Sequence, residues 1–171
     1  MVLIEDIVVN NIVMSFKLND KLDRVKVKES FPSVDYPKRF SGGILKLDGG
    51  CLLIFNSGKI NVTGVKSYEA AFNLIDKFCD IYPDNLYKTE AKVVNIVAHS
   101  RLITNFIYSR LDSFPYCSYE PELFPGVHVK VDNSNVIFII FKRTGRVTVT
   151  GIRDIIELNK YFDLFKRIYR A

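Results

Sequence analysis

The sequence predicts an α+β fold of two pseudo-symmetric repeats, each an antiparallel sheet with helices on one face. Three observations predict it. The block from Phe55 to Gly64 (FNSGKINVTG) reappears from Phe141 to Gly151 (FKRTGRVTVTG) with one residue inserted, and Asn11-Ile12-Val13 matches Asn95-Ile96-Val97 at an offset of ~84. The order of strand-like and helix-like patterns is the same in both halves. Finally, several strands are apolar on both faces, although the helices can cover only one. The chain of 171 residues then divides into a first repeat over 1–86 and a second over 87–171, forming one compact unit.

Each repeat opens with a strand-like stretch, Ile7 to Phe16 and Val93 to Ser100, followed by a helical stretch, Leu22 to Glu29 and Ile103 to Leu111. A turn-rich segment comes next. Phe31-Pro32-Ser33 through Tyr36-Pro37, and Ser113-Phe114-Pro115 through Pro121 and Pro125-Gly126, predict long exposed loops. Three short strands follow in the first repeat, Gly43 to Leu47, Cys51 to Asn56 and Lys59 to Thr63, joined by turns at Asp48-Gly49-Gly50 and Ser57-Gly58. The second repeat has their counterparts.

An amphipathic helix closes each repeat. Tyr68, Phe72, Ile75, Phe78 and Tyr82 form the apolar stripe of the first, with Ser67 as N-cap. Ile155, Leu158, Phe162, Phe165 and Tyr169 form that of the second, opposite Asp154, Glu157, Lys160 and Asp163. With the helices committed to one side, Cys51 to Phe55 and Val136 to Phe141 predict an apolar sheet face left for a partner, a dimer contact or a central buried strand.

Composition narrows the function. A net charge of +5 is a mild basic bias that favours a polyanionic partner without specifying one. Cys51, Cys79 and Cys117 are odd in number, widely spaced and set in apolar surroundings, which fits buried thiols in a reducing compartment. The apolar runs are far shorter than the roughly 20 residues of a membrane span, so the chain reads as soluble and intracellular. His99 and His128 lack acidic or cysteine companions at ligand spacing, so neither a metal site, a cofactor site nor a catalytic triad is expected. Ser57-Gly58-Lys59 is not a phosphate-binding loop, which needs a glycine where Leu53 stands.

Four segments carry a resemblance that covers nearly the whole chain. They are Asn11-Ile12-Val13; Tyr36-Pro37-Lys38-Arg39-Phe40 with Leu53-Ile54-Phe55 and Ser57-Gly58-Lys59; Asn95-Ile96-Val97; and Tyr119-Glu120-Pro121-Glu122-Leu123-Phe124-Pro125-Gly126 with Ile139-Ile140-Phe141. Together they resemble the core domain of the TATA-box-binding protein family, as a diverged eukaryotic or large-DNA-virus member. The resemblance implies a ten-stranded antiparallel saddle with helices on its convex face and DNA on its concave face. It implies a general initiation factor without enzymatic activity that binds and bends promoter DNA through the minor groove and nucleates the initiation complex, in the nucleus or in a viral transcription compartment.

By the same resemblance Phe40, Phe55, Phe124 and Phe141 are the wedges that enter base steps. Asn11 and Asn95 donate to adenine N3 and thymine O2, and Val13, Val97, Leu53, Ile139, Thr63 and Thr150 line the floor. Arg39, Lys46, Lys59, Lys130 and Arg146, with the hydroxyls of Ser57 and Thr144, hold phosphates. Glu120, Glu122 and Leu123 match the family's contacts with transcription factor IIB; other initiation factors and an RNA polymerase are further implied partners.

The sequence also departs from the family. Two residues before each floor threonine the family has valine, whereas Asn61 and Thr148 stand here in both repeats; these polar groups are expected to relax the preference for A·T. The helix from Tyr68 to Tyr82 is less basic than its counterpart, with Asp76 and Asp80 and only Lys77, so the regulators met by that surface do not carry over. The competing reading is a saddle-fold interaction protein that has lost stable DNA binding. An accessory half of a nucleic-acid enzyme lacks a catalytic constellation or additional domain in this chain.

Overall fold

A computed structural model describes residues 4–111, 114 and 116–170. The backbone forms two units, one of Asn11–Val94 and one of residues up to Asn10 with those from Asn95 onward, so the chain passes between them within its two longest strands. Ser113 and Pro115 of the expected second loop lie outside the described residues.

In the first unit the strand order is β2 (Gly43–Leu47), β3 (Gly50–Ile54), β4 (Lys59–Val65), β1 (Val8–Leu18), and every pairing is antiparallel. Alternation assigns the faces. Ile12, Met14, Phe16 and Leu18 of β1, Leu45 of β2, Leu52 and Ile54 of β3, and Ile60 and Val62 of β4 are buried, each 4% exposed or less. They pack under α1 (Arg24–Ser30) and α2 (Tyr68–Ile81).

Asp23 caps α1 by accepting from the backbone N–H groups of Val25 and Lys26, and Ser67 caps α2 by accepting from Ala70 N–H. The buried face of α2 is Ala71, Leu74, Ile75 and Phe78, with Tyr82 just beyond. Tyr68 and Phe72 of the expected stripe are only half-buried, and Phe72 meets Phe16 edge-on at 5.2 Å.

The second unit orders β5 (Lys88–Arg101), β9 (Arg146–Ile152), β8 (Ile137–Phe141), β7 (Val127–Lys130) and β6 (Tyr116–Ser118), again all antiparallel in the pairings of β6 to β9 and of β9 with β5. Its core joins Val127, Val129, Phe138, Ile140, Val147 and Val149 to Leu158, Phe162, Phe165 and Tyr169 of α3 (Glu157–Arg170). Phe138 lies 6.0 Å from Phe162 and 5.1 Å from Phe165.

Three expectations are corrected. The stretch Ile103 to Leu111 is not a helix; it holds one 3-10 turn over Tyr108–Leu111. Tertiary contacts override its pattern, since Ile107 N–H donates to the Tyr169 hydroxyl at 2.7 Å and Phe106 packs on the Tyr169 ring. The second loop contains the short strand β6, held by three registered pairs with β7. Nine strands rather than ten are present among the described residues, because the first-unit counterpart of β6 is a single bridge between Asp35 and Ile44. Among the described residues no helix is long and apolar enough to cross a membrane.

Candidate nucleic-acid interface

The face of each half-sheet turned away from the helices carries the expected site residues. In the first unit Leu53 is registered with Asn61 and Asn61 with Ser15, while Cys51 is registered with Thr63. In the second unit Ile139 is registered with Thr148 and Thr148 with His99, while Ile137 is registered with Thr150. All of these, and Val13 and Val97, are half-buried rather than sealed. Apolar and small polar groups thus share a half-exposed floor on this face.

The two asparagines are held by one device. A β-bulge between β1 and β4 puts Gly64 at φ +79°, and another between β5 and β9 puts Gly151 at φ +86°. Gly64 N–H donates to Asn11 Oδ1 at 2.7 Å, and Gly151 N–H donates to Asn95 Oδ1 at 2.8 Å. Because a backbone N–H needs an acceptor, the amide oxygen is fixed inward and Nδ2 must point the other way. There Nδ2 donates to Thr63 Oγ1 at 3.3 Å in one unit and to Thr150 Oγ1 at 3.2 Å in the other, which uses one of its two hydrogens. The second hydrogen has the polarity that minor-groove acceptors require.

The phenylalanines come together in pairs. Phe40 and Phe55 lie 5.6 Å apart at 61°, and Phe124 and Phe141 lie 5.8 Å apart at 60°. Phe40, Phe55 and Phe141 are half-buried and Phe124 is 37% exposed. Both rings of the first pair lie against a glycine, and Phe124 of the second pair does. A Cβ at Gly42 would meet Ile54 O at 2.6 Å and the rings of Phe40 and Phe55 at 3.1 Å; at Gly126 it would meet Phe124 Cε1 and Ile139 Cγ2 at 2.6 Å. Sequence reasoning missed these two seats, although a Phe-x-Gly triplet ends the turn-rich segment in both repeats.

Cations surround the floor. Arg39, Lys46, Lys59 and Lys130 are exposed, and Arg146 is half-buried with no partner for its Nε. Among the described residues the ion pairs engage Lys26, Lys88, Lys160 and Lys166, and none of those five. Ser57 and Thr144 are exposed in the β3–β4 and β8–β9 turns. Glu120, Glu122 and Leu123 project from the loop before β7, where Phe124 N–H donates to Glu120 O at 2.9 Å and Leu123 is 81% exposed.

Two features carried no signal in the sequence. Lys142 Nζ sits 3.7 Å from the Tyr119 ring centroid, 4.9 Å from Tyr108 and 6.0 Å from Phe106, tying the loop that bears Glu120 to the β8–β9 turn. His99 lies on the floor itself, its Nδ1 2.7 Å from Asn10 Oδ1. Burial, then the guanidinium groups of Arg146 and Arg101, push its pKa below the ordinary imidazole value, against a smaller opposing effect of Glu5. Among the described residues no cluster of three or more His, Cys, Asp or Glu side chains forms a metal site.

Comparison with known proteins decides the family. The profile described as transcription factor TFIID, or TATA-binding protein, matches residues 6–83 and 90–170. The chain belongs to the TATA-binding-protein family of transcription factors. It is 33% identical over 156 residues to the TATA-box-binding protein of Methanococcus aeolicus, covering 87% of this chain and 86% of that one. It is also 33% identical over 169 residues to TATA-box-binding protein 2 of Entamoeba histolytica, covering 93% and 77%. The solved structure of Methanococcus jannaschii TBP superposes with a TM-score of 0.83 at 30% identity, covering 97% of this chain and 99% of that one, so the family's α+β fold is present here.

Proposed function

We propose that this TATA-binding-protein relative binds double-stranded promoter DNA in the minor groove through the open face of each half-sheet. It bends that DNA by phenylalanine insertion and nucleates the initiation complex without catalysing a reaction. The observation that carries the proposal is the pair of phenylalanine pairs: two rings, 5.6 or 5.8 Å apart at nearly the same angle, with at least one ring of each pair braced on a glycine. Rings kept half-exposed in the free protein have no packing role that needs this arrangement twice.

The chemistry follows from what the groove offers. A·T pairs show only acceptors there, which the free hydrogens of Asn11 and Asn95 can meet, while Val13, Val97, Leu53, Ile139, Thr63 and Thr150 exclude water. Unstacking a base step costs roughly a few kcal/mol, as is known for wedge-inserting minor-groove proteins, TATA-binding proteins included, and is offset by the surface a bent groove wraps. Arg39, Lys46, Lys59, Lys130 and Arg146, with Ser57 and Thr144, fix register through phosphates without reading sequence. Glu120, Glu122 and Leu123 dock a IIB-like factor, and other initiation factors and an RNA polymerase follow on that assembly, in the nucleus or in a viral transcription compartment.

The test is end-to-end energy transfer on a short labelled duplex at fixed salt, comparing an A·T-rich TATA element with a scrambled one. Tight binding with a transfer increase on the TATA element alone is expected. Binding without bending, or none at all, would replace this reading with a saddle-fold interaction protein that works through protein partners.

A further inference from the structure

The floors of the two units differ at one atom. Asn61 Oδ1 is a buried side-chain oxygen with no hydrogen-bond partner, although Asn61 faces Leu53 on one side and Ser15 on the other. Its pseudo-equivalent, Thr148, leaves no such atom and sits between Ile139 and His99. The amide oxygens of Asn11 and Asn95, by contrast, each accept from a glycine N–H. Asn61 is therefore the floor asparagine whose acceptor lacks a donor; that oxygen is covered in the free protein, and because it makes no hydrogen bond there, a half-turn of the amide about χ2 brings it to the open face without breaking one of its own.

A minor groove can fill that vacancy in only one way. Adenine N3, thymine O2, guanine N3 and cytosine O2 all accept, and the guanine N2 amino group is the one donor on the groove floor. Resting on the minor-groove reading above, we infer that Asn61 is a specificity-determining residue that accepts a hydrogen bond from a purine 2-amino group in the half-site under the first repeat. The second repeat has no matching requirement. Its Thr148 hydroxyl both donates and accepts, so it serves A·T and G·C alike. A preference at one half-site only breaks the pseudo-symmetry of the element and gives the bound protein a direction along it.

The experiment changes the amino group and nothing else. Each adenine of an A·T-rich element is replaced in turn by 2,6-diaminopurine, which adds the 2-amino group; separately, a G·C pair at the responding position is replaced by inosine·C, which removes it. Affinity is measured for the native protein, Asn61→Val and Asn61→Thr, with folding checked by circular dichroism. The native protein is expected to bind about three- to tenfold tighter with diaminopurine at one position of one half-site and to lose that gain with inosine, as one neutral hydrogen bond allows. Asn61→Val is expected to abolish the gain and Asn61→Thr to reduce it.

Weaker binding with diaminopurine at every position, or equal responses in native protein and Asn61→Val, overturns the inference while bending of the parent element leaves the minor-groove reading intact. The native arms decide this even where a variant does not fold. No binding to any duplex overturns both.

Discussion

The two repeats share a frame and differ in what it frames. In both, an asparagine accepts from the bulge glycine and donates to a threonine, at distances that agree within 0.1 Å. The phenylalanine pairs agree within 0.2 Å and 1°. Yet Ser15, Asn61 and Lys59 of the first floor stand where the second has His99, Thr148 and Arg146. Backbone geometry that needs a positive-φ glycine or a ring seated on a glycine tolerates little change. A half-exposed floor position tolerates much more, so duplication leaves the frame twice and lets the floor diverge.

The largest effect should come from the rings. Phe124→Ala/Phe141→Ala and Phe40→Ala/Phe55→Ala are each expected to weaken binding to a TATA element on the order of a hundredfold, from the few kcal/mol that a wedge must supply. Equal losses in equilibrium titrations support equivalent wedges, and a tenfold disparity breaks the comparison. Their seats come next. Gly42→Ala drives a Cβ into the backbone oxygen of Ile54, so it should lower stability by about 1–3 kcal/mol in urea. Gly126→Ala meets side chains, Phe124 and Ile139, that can move, so it should spare stability and impair DNA binding.

The bulges sharpen the comparison further. Gly151 N–H is partly buried and Gly64 N–H is exposed, so removing the acceptor hurts the second unit more. Asn95→Ala is expected to cost about 1–3 kcal/mol and Asn11→Ala about 0.5–1.5 kcal/mol by chemical denaturation.

The smallest effect is a pH dependence confined to one floor. With its folded pKa held below the ordinary 6.5 by burial, Arg146 and Arg101, His99 binds its proton more readily in the unfolded chain. Its contribution to stability is therefore complete above about pH 6.5 and is lost as pH falls toward the folded pKa. Exchanging in the first repeat's residue, His99→Ser, should flatten the difference in melting temperature between pH 7.5 and 5.5, whereas Ser15→Ala should leave it unchanged.

Much of this was legible in the sequence because duplication printed it twice. A phenylalanine or asparagine on a strand means little alone, but Phe40 with Phe124 and Asn11 with Asn95 at one offset carry position as well as type. Apolar runs such as Ile137 to Phe141 also announced an open face, since their alternate residues had no helix left to cover them. What stayed hidden depends on tertiary contacts. The helical pattern of Ile103 to Leu111 yields to the Tyr169 hydroxyl, and β6 forms because three residues find β7 as an edge partner. The surroundings of His99 stayed hidden because Asn10 and Arg146 reach it from two other strands, and only Arg101 stands near it along β5.

As proposed above, the two phenylalanine pairs act as equivalent wedges at the two ends of one DNA site. The most direct measurement is the fluorescence of 2-aminopurine placed at one end of a TATA element or at the other, since the base brightens when its stacking is broken. A rise at both ends is expected with the native protein, loss at one end only with Phe124→Ala/Phe141→Ala, and loss at the opposite end with Phe40→Ala/Phe55→Ala. Tight binding with both ends dark, or a rise that survives both double variants, would contradict it.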